Sequence, residues 1–316
     1  MISRRNIRVK VMQTLYSLES YNNPSGDNGT PGDILPVAKR LLQQHLDQTT
    51  RLFIYLLYNI IEVTRYAETD ARQRAAKHLP TAADLHVNTQ ITANSGIRRL
   101  IGNPDFIKTT GSENIQYLTD PEIIKKIYQQ LVASPEYLEY IAQPDRDEKE
   151  DKQILLYIFH ELLMKSEAFD QHAEDIFLHW PDDREMMDIL VGNYIGKPQS
   201  FDFSSLISPE KKTYSFELLQ TALEKRSHCL ELIRPRLQNW DPDRIASIDM
   251  LLMDMAICEF LYFPTIPTKV TINEYIDLAK TYSTPQSGQF VNGILDNVLK
   301  DLSEEQKIHK TDRIRK

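Results

Sequence analysis

The residues best placed to do chemistry lie at the start of the chain, in SRRNIRVKVMQTLYSL. Arg4, Arg5, Arg8 and Lys10 supply four positive charges before the first acid, Glu19. Guanidinium groups present paired donors and stay charged, which suits them to phosphate. Arg4 and Arg8 stand one helical turn apart with Arg5 and Lys10 flanking, and Ile7, Val11, Leu15 and Leu18 recur at helical spacing. One face of a helix is expected to bury while the others carry charge. The chemistry implied is polyanion binding.

Patterns for catalysis and metal binding fail on spacing. His160-Glu161 opens a metalloprotease-like motif, but Met164 stands where the second imidazole is needed. Gly192 to Lys197 is one residue short of a phosphate-binding loop, and Pro198 occupies the hydroxyl position. His160, His172 and His179 are irregularly spaced among acids. Cys229 and Cys258 lack the surroundings of a nucleophile, and Cys258 in its apolar run is expected to be core. Two cysteines exclude a disulfide scaffold and a four-cysteine zinc module, and suit a reducing cytoplasm. No cofactor or metal is expected, and the chain reads as a non-enzyme.

The elements that must position the arginines are helical. In 316 residues, about two domains' worth, apolar residues recur at a 3.6-residue period over Leu41 to Ile61, Ile123 to Leu131 and Ile154 to Leu163. Asp120-Pro121, Ser134-Pro135, Ser208-Pro209 and Asp241-Pro242 are helix starts, and Thr271 with Glu274 matches a capping box. The fold class is all-α. Residues 21–36, with three glycines and three prolines, read as a flexible linker, and 196–209 as a second break. The longest apolar run, Leu52 to Ile61, is half a membrane span, and no signal peptide is recognisable. The net charge of −8 is uneven: residues 136–188 carry 16 acids and 5 bases, whereas the tail 307–316 carries five bases and one acid. A negative average therefore does not exclude an anionic partner.

The last hundred residues resemble the NusB family of transcription antitermination factors. The resemblance rests on Glu259-Phe260-Leu261, Ile266-Pro267-Thr268-Lys269-Val270, Ile272-Asn273-Glu274 with Leu278-Ala279-Lys280, and Phe290-Val291-Asn292-Gly293-Ile294-Leu295-Asp296. At the N-terminus, Arg4-Arg5-Asn6-Ile7-Arg8 followed by Met12-Gln13-Thr14-Leu15-Tyr16 is similar to the family's arginine-rich first helix. The resemblance implies a NusB-like helical bundle without catalysis. It also implies a cytoplasmic protein that pairs with the ribosomal protein NusE on single-stranded boxA-type RNA of rRNA transcripts, within the RNA polymerase antitermination complex. It marks Arg4, Arg5, Arg8, Tyr16 and Phe290 as RNA contacts, with Phe290 stacking on an unpaired base. Lys10 joins them by charge and position. Asn6 stands where a third arginine is usual. Gly293, inside an apolar-periodic run, is expected to mark close helix packing, and on the residues alone Phe290, Ile294 and Leu295 read first as the core face of that helix, with base stacking the alternative for an exposed Phe290 ring.

The organisation expected is an N-terminal basic helix at 1–20, a helical insertion at 21–204, a C-terminal bundle at 205–302 and a basic tail at 303–316. The first helix should pack on the C-terminal bundle, with Leu15, Leu251, Ile257, Ile276 and Leu295 buried. The inserted helices should form an added layer that leaves the arginine face open, because negative charge over 136–188 would oppose RNA within a Debye length of about 8 Å. The alternative is a helical scaffold that binds a ribosomal protein without RNA. An rRNA cytosine methyltransferase, which appends a catalytic domain to this bundle, is set aside because neither cysteine follows a proline.

Overall fold

A computed structural model describes residues 2–22, 31–143, 146–198, 203, 206–237 and 245–311. The described residues form helices and connecting turns, with no strand among them. None of the helices is long and apolar enough to cross a membrane. In chain order the helices are α1 (Arg4–Asn22), α2 (Pro31–Ala75), α3 (Ala82–Leu85), α4 (Ser95–Ile101), α5 (Pro104–Ser112), α6 (Pro121–Ala133) and α7 (Pro135–Ala142). They continue with α8 (Glu148–Tyr157), α9 (Glu167–Ile176), α10 (Trp180–Gly196), α11 (Pro209–Ile233), α12 (Ser247–Tyr262), α13 (Thr268–Tyr282) and α14 (Ser287–Glu304).

Local rules place several of these boundaries. The Asp120 carboxylate accepts from the N–H groups of Glu122 and Ile123, and Ser134 Oγ accepts from Tyr137 N–H, each ahead of a proline at the first helical position. Pro209 opens α11 after Ser208, whose side chain makes no cap bond. Asp241-Pro242 lies outside the described residues. So does half of the glycine- and proline-rich stretch, 23–30, but its remainder departs from the linker reading. Residues 21–22 end α1, and 31–36 form the first turns of α2: Pro31 opens the helix, where a missing N–H costs little, and Pro36 lies inside it, where the bond it removes is a cost the helix carries.

The chain divides into two compact units. One comprises residue 2 with Asp47–Ile207, the other Ser3–Leu46 with Ser208–Lys316. In the first, the apolar run of α2 is core: Phe53, Tyr55, Leu56 and Leu57 are fully buried, and the Asn59 amide is satisfied by the Tyr55 carbonyl. Tyr55 stacks on Phe169 of α9, with centroids 5.9 Å apart. The helix α8 runs on into a π-helical segment, Ile158–Leu163. Asp151 ties α8 to α4, accepting from Ser95 N–H at 2.8 Å and from Tyr140 Oη at 2.7 Å.

The second unit is built around α12, against which α1, α11, α13 and α14 pack. Every residue from Leu251 to Phe260 is buried, including Asp254 and Glu259. Each large apolar side chain there contributes about 1.5–3 kcal/mol through burial. A helix apolar on all sides belongs at the centre of a bundle. The first helix joins it across most of the chain length, with Leu15, Leu251, Ile257 and Leu295 buried as expected and Ile276 half-buried.

Candidate nucleic-acid interface

The basic helix starts with a cap. Ser3 Oγ accepts from Asn6 N–H at 3.2 Å and donates to the Asn6 side-chain oxygen. Asn6 thus serves the helix terminus at the position where the family usually has a third arginine. From Ile7 to Leu15 every residue of α1 is buried, so the helix does not divide into an apolar and a charged face.

Arg8 is the clearest departure from the sequence reading. Its side chain is 2 % exposed and forms a two-point pair with the fully buried Glu259, Nε to Oε1 at 2.7 Å and Nη2 to Oε2 at 3.0 Å. Glu259 also accepts from Tyr214 Oη, Tyr275 Oη at 3.0 Å and Thr271 Oγ1 at 2.9 Å. Arg8 Nη1 lies 3.4 Å from Glu274, and the guanidinium sits over the rings of Tyr275 and Tyr214. Burial would raise the Glu259 carboxyl, but the Arg8 hydrogen bonds and charge outweigh it and hold the group below the usual carboxylate range. Burial first, then the Glu259 charge, pushes both tyrosines well up. The Glu259 carboxylate is satisfied by these four partners, and the arrangement leaves no guanidinium face for a phosphate.

The same core accounts for the misread capping box. The helix α13 begins at Thr268 with Pro267 as its cap, so Thr271 and Glu274 lie inside it. Their side chains turn to Glu259 and Arg8 instead.

Two further expected contacts are also enclosed. Lys10 is 2 % exposed and Phe290 8 % exposed; stacking on a base requires an open ring face. Arg4, Arg5 and Tyr16 remain accessible. Arg4 pairs with Glu210 at the start of α11 and lies over the Tyr214 ring, 5.6 Å from its centroid. Arg5 reaches Asp277 of α13 at 3.4 Å. These pairs are solvated and hold their arginines weakly. The structure therefore gathers Arg4 and Arg5 beside the N-terminal turn, with Tyr16 three turns further along the helix.

Other side chains also sit differently from their sequence reading. Gly293 is exposed, and a Cβ there would meet open space. The close approach is at Gly288, where a Cβ would lie 2.8 Å from the Lys280 stem. In the tail, Lys310 donates to the carbonyls of Glu259 and Phe263 at the end of α12. Among the described residues the three histidines form no joint cluster. His160 bonds Asp188 at 2.8 Å and His172 bonds the Leu118 carbonyl. The cluster that does form, Cys229 with Asp254 and Cys258, was missed because its members come from two helices.

The NusB family model matches residues 184–300, from within α10 into α14. The transcription antitermination protein NusB of Dictyoglomus turgidum is 34 % identical over 124 residues, which cover 39 % of this chain and 85 % of that protein. The chain belongs to the NusB family. The NusB protein of Methylacidiphilum infernorum is 43 % identical over 101 residues, covering 32 % of this chain and 70 % of the relative. That of Salinibacter ruber is 40 % identical over 105 residues, covering 33 % and 66 %. No solved structure matches the chain significantly. The family model leaves out α1, whose place beside the matched helices is a geometric finding.

Proposed function

We propose that the chain is a non-catalytic antitermination factor that binds boxA-type single-stranded RNA together with NusE. What carries the reading is that α1 belongs to the same unit as the family-matched helices and keeps Arg4 and Arg5 at the surface. Their phosphate contacts would exchange solvated carboxylates for RNA, at small cost. Tyr16, 41 % exposed, is an accessible ring on the same helix.

One observation favours a second reading, a scaffold that binds a basic ribosomal protein without RNA. Arg8, Lys10 and Phe290 are enclosed, and Arg4 and Arg5 already face acids. A mobility shift with boxA-type RNA, with and without NusE, separates the two. A NusE-enhanced shift that Arg4→Ala with Arg5→Ala weakens supports RNA binding. NusE capture without any RNA shift supports the scaffold.

A further inference from the structure

We propose that Cys229, Asp254 and Cys258 form a binding site for one zinc-class divalent cation inside the bundle of the second unit. Asp254 and Cys258 are one turn apart on α12 and so share a face, and Cys229 comes from α11, which packs against it. All three are buried, with both cysteines fully enclosed and Asp254 4 % exposed. Their donor atoms lie within 4.8 Å of one another.

The spacing decides what this cluster suits. The two sulfurs are 3.7 Å apart, and both cysteines are free thiols. A disulfide requires about 2.05 Å. Two sulfurs each about 2.3 Å from a tetrahedral zinc are about 3.8 Å apart. The sulfur pair thus needs almost no movement to accept the ion, and the carboxylate oxygen needs to close to about 3.5 Å from each sulfur. Two thiolates and a carboxylate select a soft or borderline cation over magnesium or calcium, which take oxygen donors. A solvent molecule can complete a tetrahedron. One turn beyond Cys258, Tyr262 is exposed beside Lys225, so the cluster lies one helical turn from the surface.

Binding converts two S–H groups to metal thiolates and releases two protons to solvent. The Cys258 thiol is pushed well above its ordinary value, first by its hydrogen bond with Cys229 and then by burial. Affinity should rise about a hundredfold per pH unit while two protons are released.

The test is an anaerobic titration of the reduced full-length chain with cobalt(II), a spectroscopic stand-in for zinc. Thiolate-to-cobalt charge-transfer bands in the near ultraviolet should saturate at one equivalent and disappear on adding zinc. Native mass spectrometry of the zinc-treated chain should show one zinc ion less two protons. Cys229→Ser and Cys258→Ser should each abolish the bands. If either variant misfolds, Asp254→Asn decides, because both thiolates remain: the bands should persist with affinity at least tenfold weaker. No saturable band in the parent chain overturns the site and leaves a thiol–thiol hydrogen bond. Cobalt uptake undiminished in a folded Cys258→Ser, or unweakened in Asp254→Asn, overturns the ligand set.

Discussion

Replacing Arg8 by Met should damage the fold, and its pH dependence should show why. The substitution keeps the length of the stem and removes two charge-assisted hydrogen bonds to Glu259. The carboxylate is left without solvent and with three neutral donors, Tyr214, Tyr275 and Thr271. Removing one member of a buried ion pair costs about 3–5 kcal/mol, and two charge-assisted bonds at about 1.5–3 kcal/mol each bracket the same range. A chain of two units need not unfold in one step, so the measurement is amide exchange of α12 followed by mass spectrometry. In the parent chain Glu259 is held below its ordinary value. That stabilisation is present at neutral pH and is lost as pH falls through the depressed value. In Arg8→Met, burial is opposed by the three neutral donors but no longer by a cation, and the carboxyl should rise above its unfolded value. Its contribution is then greatest at acid pH and is lost as pH rises through the raised value. The two proteins should therefore respond to acidification with opposite slopes in this part of the molecule. Adding Glu259→Gln to Arg8→Met should recover part of the loss. A cost below about 1 kcal/mol, the level of an exposed pair, would refute the buried-pair reasoning. So would matching pH slopes, or a double variant no more stable than the single one.

Gly293→Ala should stabilise α14 by up to about 1 kcal/mol, because an exposed helical glycine gains from a methyl that meets nothing. Thermal unfolding checks this, and a lower midpoint would contradict the open space. For Arg4→Ala with Arg5→Ala, the logarithmic salt slope of RNA binding should shrink by about 1.4, at about 0.7 per lost single-strand phosphate contact, with amide exchange of α12 unchanged; an unaltered slope removes these arginines from the interface. Burial, then the charge of Lys10, lowers His45 to about 4. Its stabilisation is complete above the ordinary histidine value and is lost as pH falls from there towards 4. Replacing His45 by Gln should flatten stability across that window, as read from α2 exchange at a series of pH values. In the first unit, Asp120→Ala should cost about 1 kcal/mol through loss of its cap, measurable as faster exchange at the start of α6.

What could be read from the sequence was local or repetitive. Asp120 and Ser134 announce their helices because a cap needs only residues two and three positions on. The enclosure of Leu52 to Ile61 follows from a run too apolar to face water. The helical class follows from the period of such residues. Arg8 was misplaced because its type suits either a phosphate or a carboxylate, and the carboxylate that claims it is 251 residues away. Thr271 and Glu274 have the spacing of a capping box, yet the actual helix start at Thr268 hands both side chains to that distant pair. Glycine presented the same difficulty. Gly288 and Gly293 both lie in α14, and only the course of Lys280 on α13 shows which one tolerates no methyl. The cysteine pair is invisible in sequence because 29 residues separate its halves.

The separation of Arg8 from Glu259 also sets an order of events during synthesis. The partner of Arg8 emerges 251 residues later. At about 5–20 residues per second, that delay is about 13–50 seconds. For most of it, the first helix has neither α11 nor α12 to pack on, and its apolar residues and uncompensated cation wait in solution. Asp47–Ile207, by contrast, is continuous apart from residue 2 and is fully translated before α11 begins. This stretch should fold while the ribosome is still working, and the bundle should close only once α12 has emerged. A chain released early, before Glu259, would carry an orphaned first helix beside a finished neighbour. Such a helix is the kind of exposed apolar segment that chaperones retain and proteases remove.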